Sequence, residues 1–409
     1  MGNGRSRNVN YSGNENSYAK DEKHTMTEVN YPRRWLPPGS CFRVDLSLID
    51  VSGDVDEDPK AAHLLKNLQA GIWANACTAE THLKGIAASS HEEATAVRKR
   101  VSRFLKTKDK YLALGSMLFK SQYFHDIYSY GVDSNNDGEK QTRSVVHLPT
   151  TQYKKPYIPL PDGWREDSNH SALEEDMLSF SISHQFPFVG CARIKHDNRS
   201  SIIASQAISC TIPPPIVGLD IVVFDEINPR LYSSEEEFLQ VFEDQFTRNE
   251  WENGIQQTSP TERYREFFVR WSMKEAYTKA IGVGMGLEFK SFEIQLESPT
   301  KESDSSGIPS IWTRIINEQE PNLKATEPVC FKGTIVFDNK KENEYFCFYF
   351  LPLISDPTTP DPMEGCACIC VGSLRENYPT ESSDDHARLK NSINISWTSL
   401  EELDQWHNK

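Results

Sequence analysis

Residues 216–224 read Ile216-Val217-Gly218-Leu219-Asp220-Ile221-Val222-Val223-Phe224. The run is apolar on both parities, which marks a strand covered on both faces. A lone carboxylate in such a strand must meet a cation, cap a neighbouring helix or ligate a metal, because an isolated buried charge is costly. Immediately upstream, Pro213-Pro214-Pro215 blocks helix and ladder alike and forms the clearest boundary in the chain. Downstream, helical spacing runs over 234–247 and 260–281, and strand-like spacing over 288–297, 329–338 and 345–353. Upstream the order is similar. An alternation of Phe42, Val44, Leu46 and Leu48 is followed by helical patterns at 59–76, 92–106 and 109–128, then by β-rich segments at 179–194 and 201–211. Strand, helices and strands, twice over, predict an α/β (α+β) pseudodimer of two similar subdomains, 34–212 and 213–353.

The 409 residues allow two to three domains. Only 37% are hydrophobic, and the mean hydropathy of −0.58 implies unpacked segments. The polar stretches lie at the ends. Residues 1–33 are expected to be a disordered extension, and 354–409, with ten acidic and four basic residues, an acidic, largely disordered tail. Within that tail a short helix near Trp397–Trp406 is expected to form on docking. An odd nine cysteines do not read as a disulfide framework and point to a reducing compartment. No apolar run approaches the roughly 20 residues of a membrane span, and the polar start is unlike a secretory leader, so a cytoplasmic protein is expected. A formal charge of −15 argues against general nucleic-acid binding. Residues 60–160 nevertheless carry fifteen basic and eight acidic groups, a local +7 that suits a polyanionic ligand or an acidic partner. A solvated helix face would give the same count.

The strongest local feature is the helical run Phe267–Ala280. Trp271, Glu275 and Lys279 stand at i, i+4 and i+8 and share a face. An exposed Glu275–Lys279 pair would contribute only about 0.3–0.5 kcal/mol. A carboxylate beside a tryptophan on a core-facing helix suggests instead that it holds a cation. Asp220 from the strand and Glu275 from the helix together suit Mg²⁺, which takes few protein oxygens and completes its octahedron with water and phosphate. Two weaker patches are Phe180-Ser181-Ile182-Ser183-His184-Gln185, an alternation ending in a histidine, and the basic turn Lys154-Lys155-Pro156-Tyr157. Alone, each has an ordinary structural explanation.

Taken in order, the patches resemble the 4′-phosphopantetheinyl transferases of the larger pseudodimeric type, which includes the surfactin-synthetase activator and the animal and fungal lysine-pathway enzymes. The family's Gly-Lys-Pro turn corresponds to Lys154-Lys155-Pro156, its Ser-His element to Ser183-His184-Gln185, and its Gly-x-Asp strand to Gly218-Leu219-Asp220. Phe246-Thr247-Arg248-Asn249-Glu250-Trp251 and Trp271 through Lys279 complete the set, followed by Gly282-Val283-Gly284-Met285-Gly286. The resemblance covers roughly 95–300. There are two departures. Many bacterial members carry an acidic residue where Val222 stands, and the glycine of the basic turn is replaced by Lys154.

The resemblance implies transfer of the phosphopantetheine arm of coenzyme A to a serine of an apo-carrier protein, in a cleft between the two halves, with release of 3′,5′-ADP. It implies Mg²⁺ (or Mn²⁺) held by Asp220 and Glu275, with Gln185 or water replacing the missing carboxylate at Val222. Glu275, directly or through water, would take the serine proton; Lys279 would balance pyrophosphate charge; Arg100, Lys155 and His184 would contact coenzyme A phosphates. An acyl, peptidyl or aryl carrier is the implied partner, with aminoadipate reductase of lysine biosynthesis the first candidate. The chain is expected to act as a monomer without integral membrane contact, and carrier association to weaken with salt. Two rivals are a non-catalytic homologue that scaffolds a carrier complex and a nucleotide-binding hydrolase.

Other signals read as bland. Gly282-x-Gly284-x-Gly286 follows a helix instead of opening one, so it terminates the helix and turns the chain. Asp133–Gly138 begins like a calcium loop, but Ser144 stands where the bidentate Glu belongs. Cys366, Cys368 and Cys370 could take a soft metal or a lipid, though an incidental tail segment explains them as well. Met1-Gly2-Asn3-Gly4-Arg5-Ser6 fits an N-myristoylation pattern, which a start at Met26 would erase.

Overall fold

The computed structural model describes residues 42–52, 59–84, 90–128, 143–158, 180–196, 216–224, 227–297, 310–318, 328–337, 340–355, 362–375 and 393–408. The extension 1–33, the acylation pattern, the calcium-like loop, the strand expected at 201–211 and the proline boundary lie outside these residues.

Two sheets organise the chain. The first has the order β11-β1-β5-β4, with β1 Phe42–Asp50, β4 Phe180–Gln185, β5 Phe188–His196 and β11 Ile393–Trp397. The second has the order β6-β10-β9-β8-β7, with β6 Val217–Val223, β7 Phe292–Leu296, β8 Val329–Phe337, β9 Lys340–Ile354 and β10 Glu364–Arg375. A two-residue parallel pair, β2 Cys77–Thr78 with β3 Val146–His147, stands apart.

Alternation decides which face goes where. Val44, Leu46 and Leu48 of β1 pack with Leu219 and Ile221 of β6 and Ala367 and Ile369 of β10 in one core, so an inner face of each sheet meets the other. Helices cover the outer faces. On the first sheet these are α1 Pro59–Lys66, α2 Ala79–Leu83, α3 His91–Ser102, α4 Thr107–Tyr128 and, from the far end of the chain, α8 Leu400–His407. On the second sheet α6 Pro260–Ile281 and α7 Ile311–Glu318 take that place, and α5 Glu235–Val241 sets Leu239 against Phe267 of α6 in a satellite aromatic cluster. The mixed α/β class expected from the sequence is observed.

The expected disordered tail is a correction. Residues 364–375 form β10, which pairs with β6 on one side and β9 on the other, so the second sheet needs them to join β6 to the rest. Ile393–Trp397 pairs in parallel with β1. The helix expected near Trp397–Trp406 exists as α8, capped by reciprocal bonds between Ser399 and Glu402. A polar average over 354–409 hid a short apolar strand, Cys366-Ala367-Cys368-Ile369-Cys370-Val371. Its three cysteines are fully buried facing α6, where burial raises their thiols well above the usual value. They act as small core residues.

Candidate active site

The site begins at a glycine. Gly218 of β6 lies so close to α6 that a Cβ there would sit 1.9 Å from the Ala276 carbonyl oxygen and 2.5 Å from the Ala280 nitrogen. Only a residue without a side chain lets strand and helix approach this far. The contact brings Asp220, two residues along the same face, up to Lys279 one helical turn beyond Glu275.

Asp220 is 7% exposed. Its Oδ1 accepts from the Lys279 ammonium at 2.6 Å and from the Ser183 hydroxyl at 3.0 Å, and Lys279 also donates to Ser183 Oγ at 3.2 Å. Ser183 belongs to a zipper that the sequence alternation had set up. Ser181 Oγ, Ser183 Oγ and Gln185 Oε1 accept from the backbone N–H groups of Leu219, Ile221 and Val223 at 2.9, 3.1 and 3.1 Å. Side chains of β4 thus satisfy the free edge of β6 in place of a backbone ladder. The amide of Gln185 also donates to the Val223 carbonyl at 3.4 Å. Its oxygen accepts one backbone N–H and keeps a second lone pair, and the residue lines the cavity beside Asp220.

Glu275 is half-buried. Burial, and after it the negative charge of Asp220, raise its pKa above the usual carboxylate value, while Lys279 pulls the other way. Two electrostatically coupled carboxylates therefore share one neighbouring ammonium, an arrangement with spare negative charge for a small cation. Among the described residues no group of three or more His, Cys, Asp or Glu could hold a metal, so any ion here relies on these two oxygen donors and outside ligands.

A cavity of about 720 Å³ opens beside them, with Asp220, Glu275 and Lys279 in its wall. Its lining includes the basic side chains Lys120, Lys154 and His184 together with Lys279. It also includes five aromatics, Phe238, Phe242, Phe267, Phe268 and Trp271. His184 is exposed, yet desolvation by surrounding protein, and after it the charges of Lys120 and Lys279, lower its pKa, while a backbone hydrogen bond raises it. Lys120 of α4 is likewise pushed down by burial. It escaped the sequence reading. The signal available was its i, i+4 relation to Ser116, which lines the same cavity.

Two expected contacts differ. Arg100 sits exposed in the last turn of α3 and is absent from the cavity wall, although its charge is felt at Lys120 and His147. Lys155 donates to the Ala280 carbonyl at 3.1 Å, near the C-terminus of α6. Lys154 and Pro156 are the residues of the turn that line the cavity, and Lys154 adopts φ +64°, the left-handed conformation that its glycine counterpart would enter freely. The glycine tail does end α6: Gly282 caps it at φ +81°.

A second hollow of about 410 Å³ shares Trp271 and Glu275 with the first and is rimmed by Met285, Leu287 and Lys290. The remaining motif supports this helix from behind. Lys274 is fully buried, pairs with Glu250 at 2.8 Å and donates to the carbonyls of Phe289 and Phe292 at 2.8 and 2.5 Å. Glu250 also accepts from Thr247 N and Ile294 N at 3.1 and 3.3 Å. Phe246 and Trp251 pack with Phe267 and Trp271. Phe246-Thr247-x-x-Glu250-Trp251 is thus a fixture that seats Lys274 and so aims its neighbour Glu275.

Residues 216–326 match the profile described as the 4′-phosphopantetheinyl transferase superfamily. The chain is 24% identical over 205 residues to an L-aminoadipate-semialdehyde dehydrogenase-phosphopantetheinyl transferase of Xenopus laevis, covering 50% of this chain and 54% of that protein. It is 26% identical over 219 residues to a phosphopantetheinyl transferase of a Thraustochytrium strain, covering 51% and 60%. It is 24% identical over 202 residues to a 4′-phosphopantetheinyl transferase of Bacillus subtilis, covering 49% and 65%. The matches span about half the length of the first of these relatives. Of the five ordered elements, Gly218–Asp220, Phe246–Trp251 and Trp271–Lys279 fall inside the matched stretch and the basic turn and Ser183–Gln185 precede it: residues 216–326 carry a 4′-phosphopantetheinyl transferase superfamily domain.

Proposed function

We propose that this protein transfers the 4′-phosphopantetheine group of coenzyme A to a serine of an apo-carrier protein. The observation that carries the reading is one cavity whose wall joins Asp220, Glu275 and Lys279 to the lysines Lys120 and Lys154 and to the imidazole of His184. A ligand with a diphosphate and a further phosphate meets such a wall better than a neutral substrate does. The two-subdomain partition, with the site in the cleft between them, belongs to the same reading.

Asp220 and Glu275 would hold a divalent ion, Mg²⁺ or Mn²⁺, which when bound supplies charge neutralisation at the diphosphate. Lys279, held by Asp220 and Ser183, offers a point charge to the same group. Glu275 accepts the serine proton; its raised proton affinity suits it to that task. The serine oxygen forms the new bond to phosphorus, the bond to the bridging oxygen breaks, and 3′,5′-ADP leaves with the electron pair. The second hollow gives the carrier serine its own approach to Glu275, so donor and acceptor need not share an entrance. Lys120 and Lys154 take the places expected of Arg100 and Lys155.

No helix among the described residues is long and apolar enough to cross a membrane. Cytoplasmic location, a monomeric state and an aminoadipate-reductase carrier are parts of the proposal. The Xenopus relative's name, which includes aminoadipate-semialdehyde dehydrogenase, supports that choice of first carrier. The test incubates the full chain with coenzyme A, Mg²⁺ and a panel of apo-carriers. Carrier modification matched mole for mole by 3′,5′-ADP is expected. Release of 3′,5′-ADP without carrier would favour a hydrolase, and inertness toward every carrier a scaffold.

A further inference from the structure

Trp271 stands between the two hollows. Among the described residues, it and Glu275 are the two that line both the cavity of about 720 Å³ and the smaller one of about 410 Å³. They lie one turn apart on α6, at i and i+4, so the helix sets them side by side on one face. The indole is half-buried, and rings hold it from either chamber. Phe242 and Phe267, which line the larger cavity, have ring centroids 5.7 and 6.0 Å from it. Phe289, which lines the smaller one, meets it in an edge-type contact at 5.1 Å. Packing from both sides fixes a large flat side chain that a single wall would leave free to swing.

The division matters because of the task given to Glu275. A carboxylate that takes a proton from a serine hydroxyl can take one from water as well. Water would bond through its oxygen to the same phosphorus and pass its proton to Glu275. The bond to the bridging oxygen would break, 3′,5′-ADP would leave with the electron pair, and 4′-phosphopantetheine would remain. Coenzyme A would then be consumed without a carrier. Of the two residues common to both hollows, one is the base and the other a rigid apolar ring, which offers water no hydrogen bond across its face. We propose that Trp271 is a specificity-determining residue: it separates the donor chamber from the acceptor chamber, so that phosphorus is reached by a hydroxyl delivered on a carrier and not by free water. This rests on the reading of the larger cavity as the coenzyme A site and the smaller as the approach of the serine. A tryptophan that merely filled the core would be enclosed by protein and not bordered by two open hollows.

The experiment follows two products of the full-length protein supplied with coenzyme A and Mg²⁺. Loading is read by intact mass, with a carrier that the unaltered protein modifies. Release of 3′,5′-ADP with no carrier present is read by chromatography. Trp271→Phe and Trp271→Leu are compared with the parent, and each is melted thermally. Ile255→Ala, buried in the adjoining aromatic cluster but lining neither hollow, is the control for loosened packing. The ratio of carrier-free release to loading should rise about threefold in Trp271→Phe, whose ring is smaller, and about tenfold or more in Trp271→Leu. Ile255→Ala should melt lower at an unchanged ratio. An unchanged ratio in either folded Trp271 variant, or an equal rise in Ile255→Ala, overturns the proposal and leaves the proposed function standing. Failure of the unaltered protein to load any carrier overturns both.

Discussion

Gly218→Ala puts the fit between β6 and α6 to a quantitative test. The added methyl would lie 1.9 Å from the Ala276 oxygen, about 1.5 Å short of ordinary contact, and 2.5 Å from the Ala280 nitrogen. Both atoms are helix backbone, so no rotamer change relieves the clash; helix and strand must part. Extra methylenes in a packed core cost about 1–3 kcal/mol, and a clash against backbone belongs at or above the top of that range. The separation also pulls Lys279 and Glu275 from Asp220, where the Asp220–Lys279 contact is 2.6 Å. A displacement of about 1 Å at reacting groups can cost on the order of 10² in rate. Gly115 in α4 provides the control. Its added Cβ would meet only side chains, at 3.4 Å, and alanine is the better helix former by about 1 kcal/mol. Urea denaturation followed by tryptophan fluorescence, with carrier loading measured in parallel, should show Gly218→Ala destabilised by about 3 kcal/mol or more and nearly inactive, with Gly115→Ala close to the parent. A Gly218→Ala protein within about 1 kcal/mol of the parent and comparably active would refute the argument from close approach.

Three further outcomes follow from the site and its supports. Lys274→Met leaves Glu250 buried without its cation and should cost about 3–5 kcal/mol, read as a lowered urea midpoint; a midpoint shift worth under about 1 kcal/mol would show the pair to be dispensable. Glu275 ionises against burial and the charge of Asp220, so its folded pKa is raised and its ionisation opposes folding at neutral pH. Glu275→Gln should therefore lose loading activity while melting no lower than the parent, and a clear drop in melting temperature would contradict this. His125 and His407, both buried, are held down at about 4 chiefly by desolvation. The unfolded chain takes up their protons near pH 6.5 and the folded chain refuses them, so stability is full above that value and declines as pH falls toward 4. At 1.36 kcal/mol for each pH unit of difference, each histidine contributes roughly 3 kcal/mol to that decline. His82 from α2 and Arg143 beside α8 add positive charge to the same cluster. Thermal melts between pH 7.5 and about pH 5 should show the loss, and a flat profile would contradict it.

Much of this was legible because the informative residues are those whose geometry leaves few options. An aspartate alone in a strand apolar on both parities marked itself as needing a partner, and the i, i+4, i+8 face of Trp271, Glu275 and Lys279 needed only the helix period. The alternation Ser181, Ser183, Gln185 was equally visible, but not its partner, since the edge of β6 is distant in sequence. Lys154 and Lys155 were separable only by the handedness of a turn, which residue type obscures when lysine replaces glycine. Arg100 was placed by resemblance, and the local register of α3 turned it to solvent. Strand β10 was missed because the polar residues on either side of Cys366–Val371 dominated the average over 354–409, and α7 because its eight residues follow a polar stretch.

The account turns on Asp220 and Glu275 acting together as the anchor of one divalent ion. Electron paramagnetic resonance of Mn²⁺ titrated into the protein with coenzyme A present reads that directly. One bound ion is expected for the parent, with affinity lowered by about tenfold or more, the scale of one charge-assisted ligand, in each of Asp220→Asn and Glu275→Gln. Unaltered Mn²⁺ binding in both variants would contradict it.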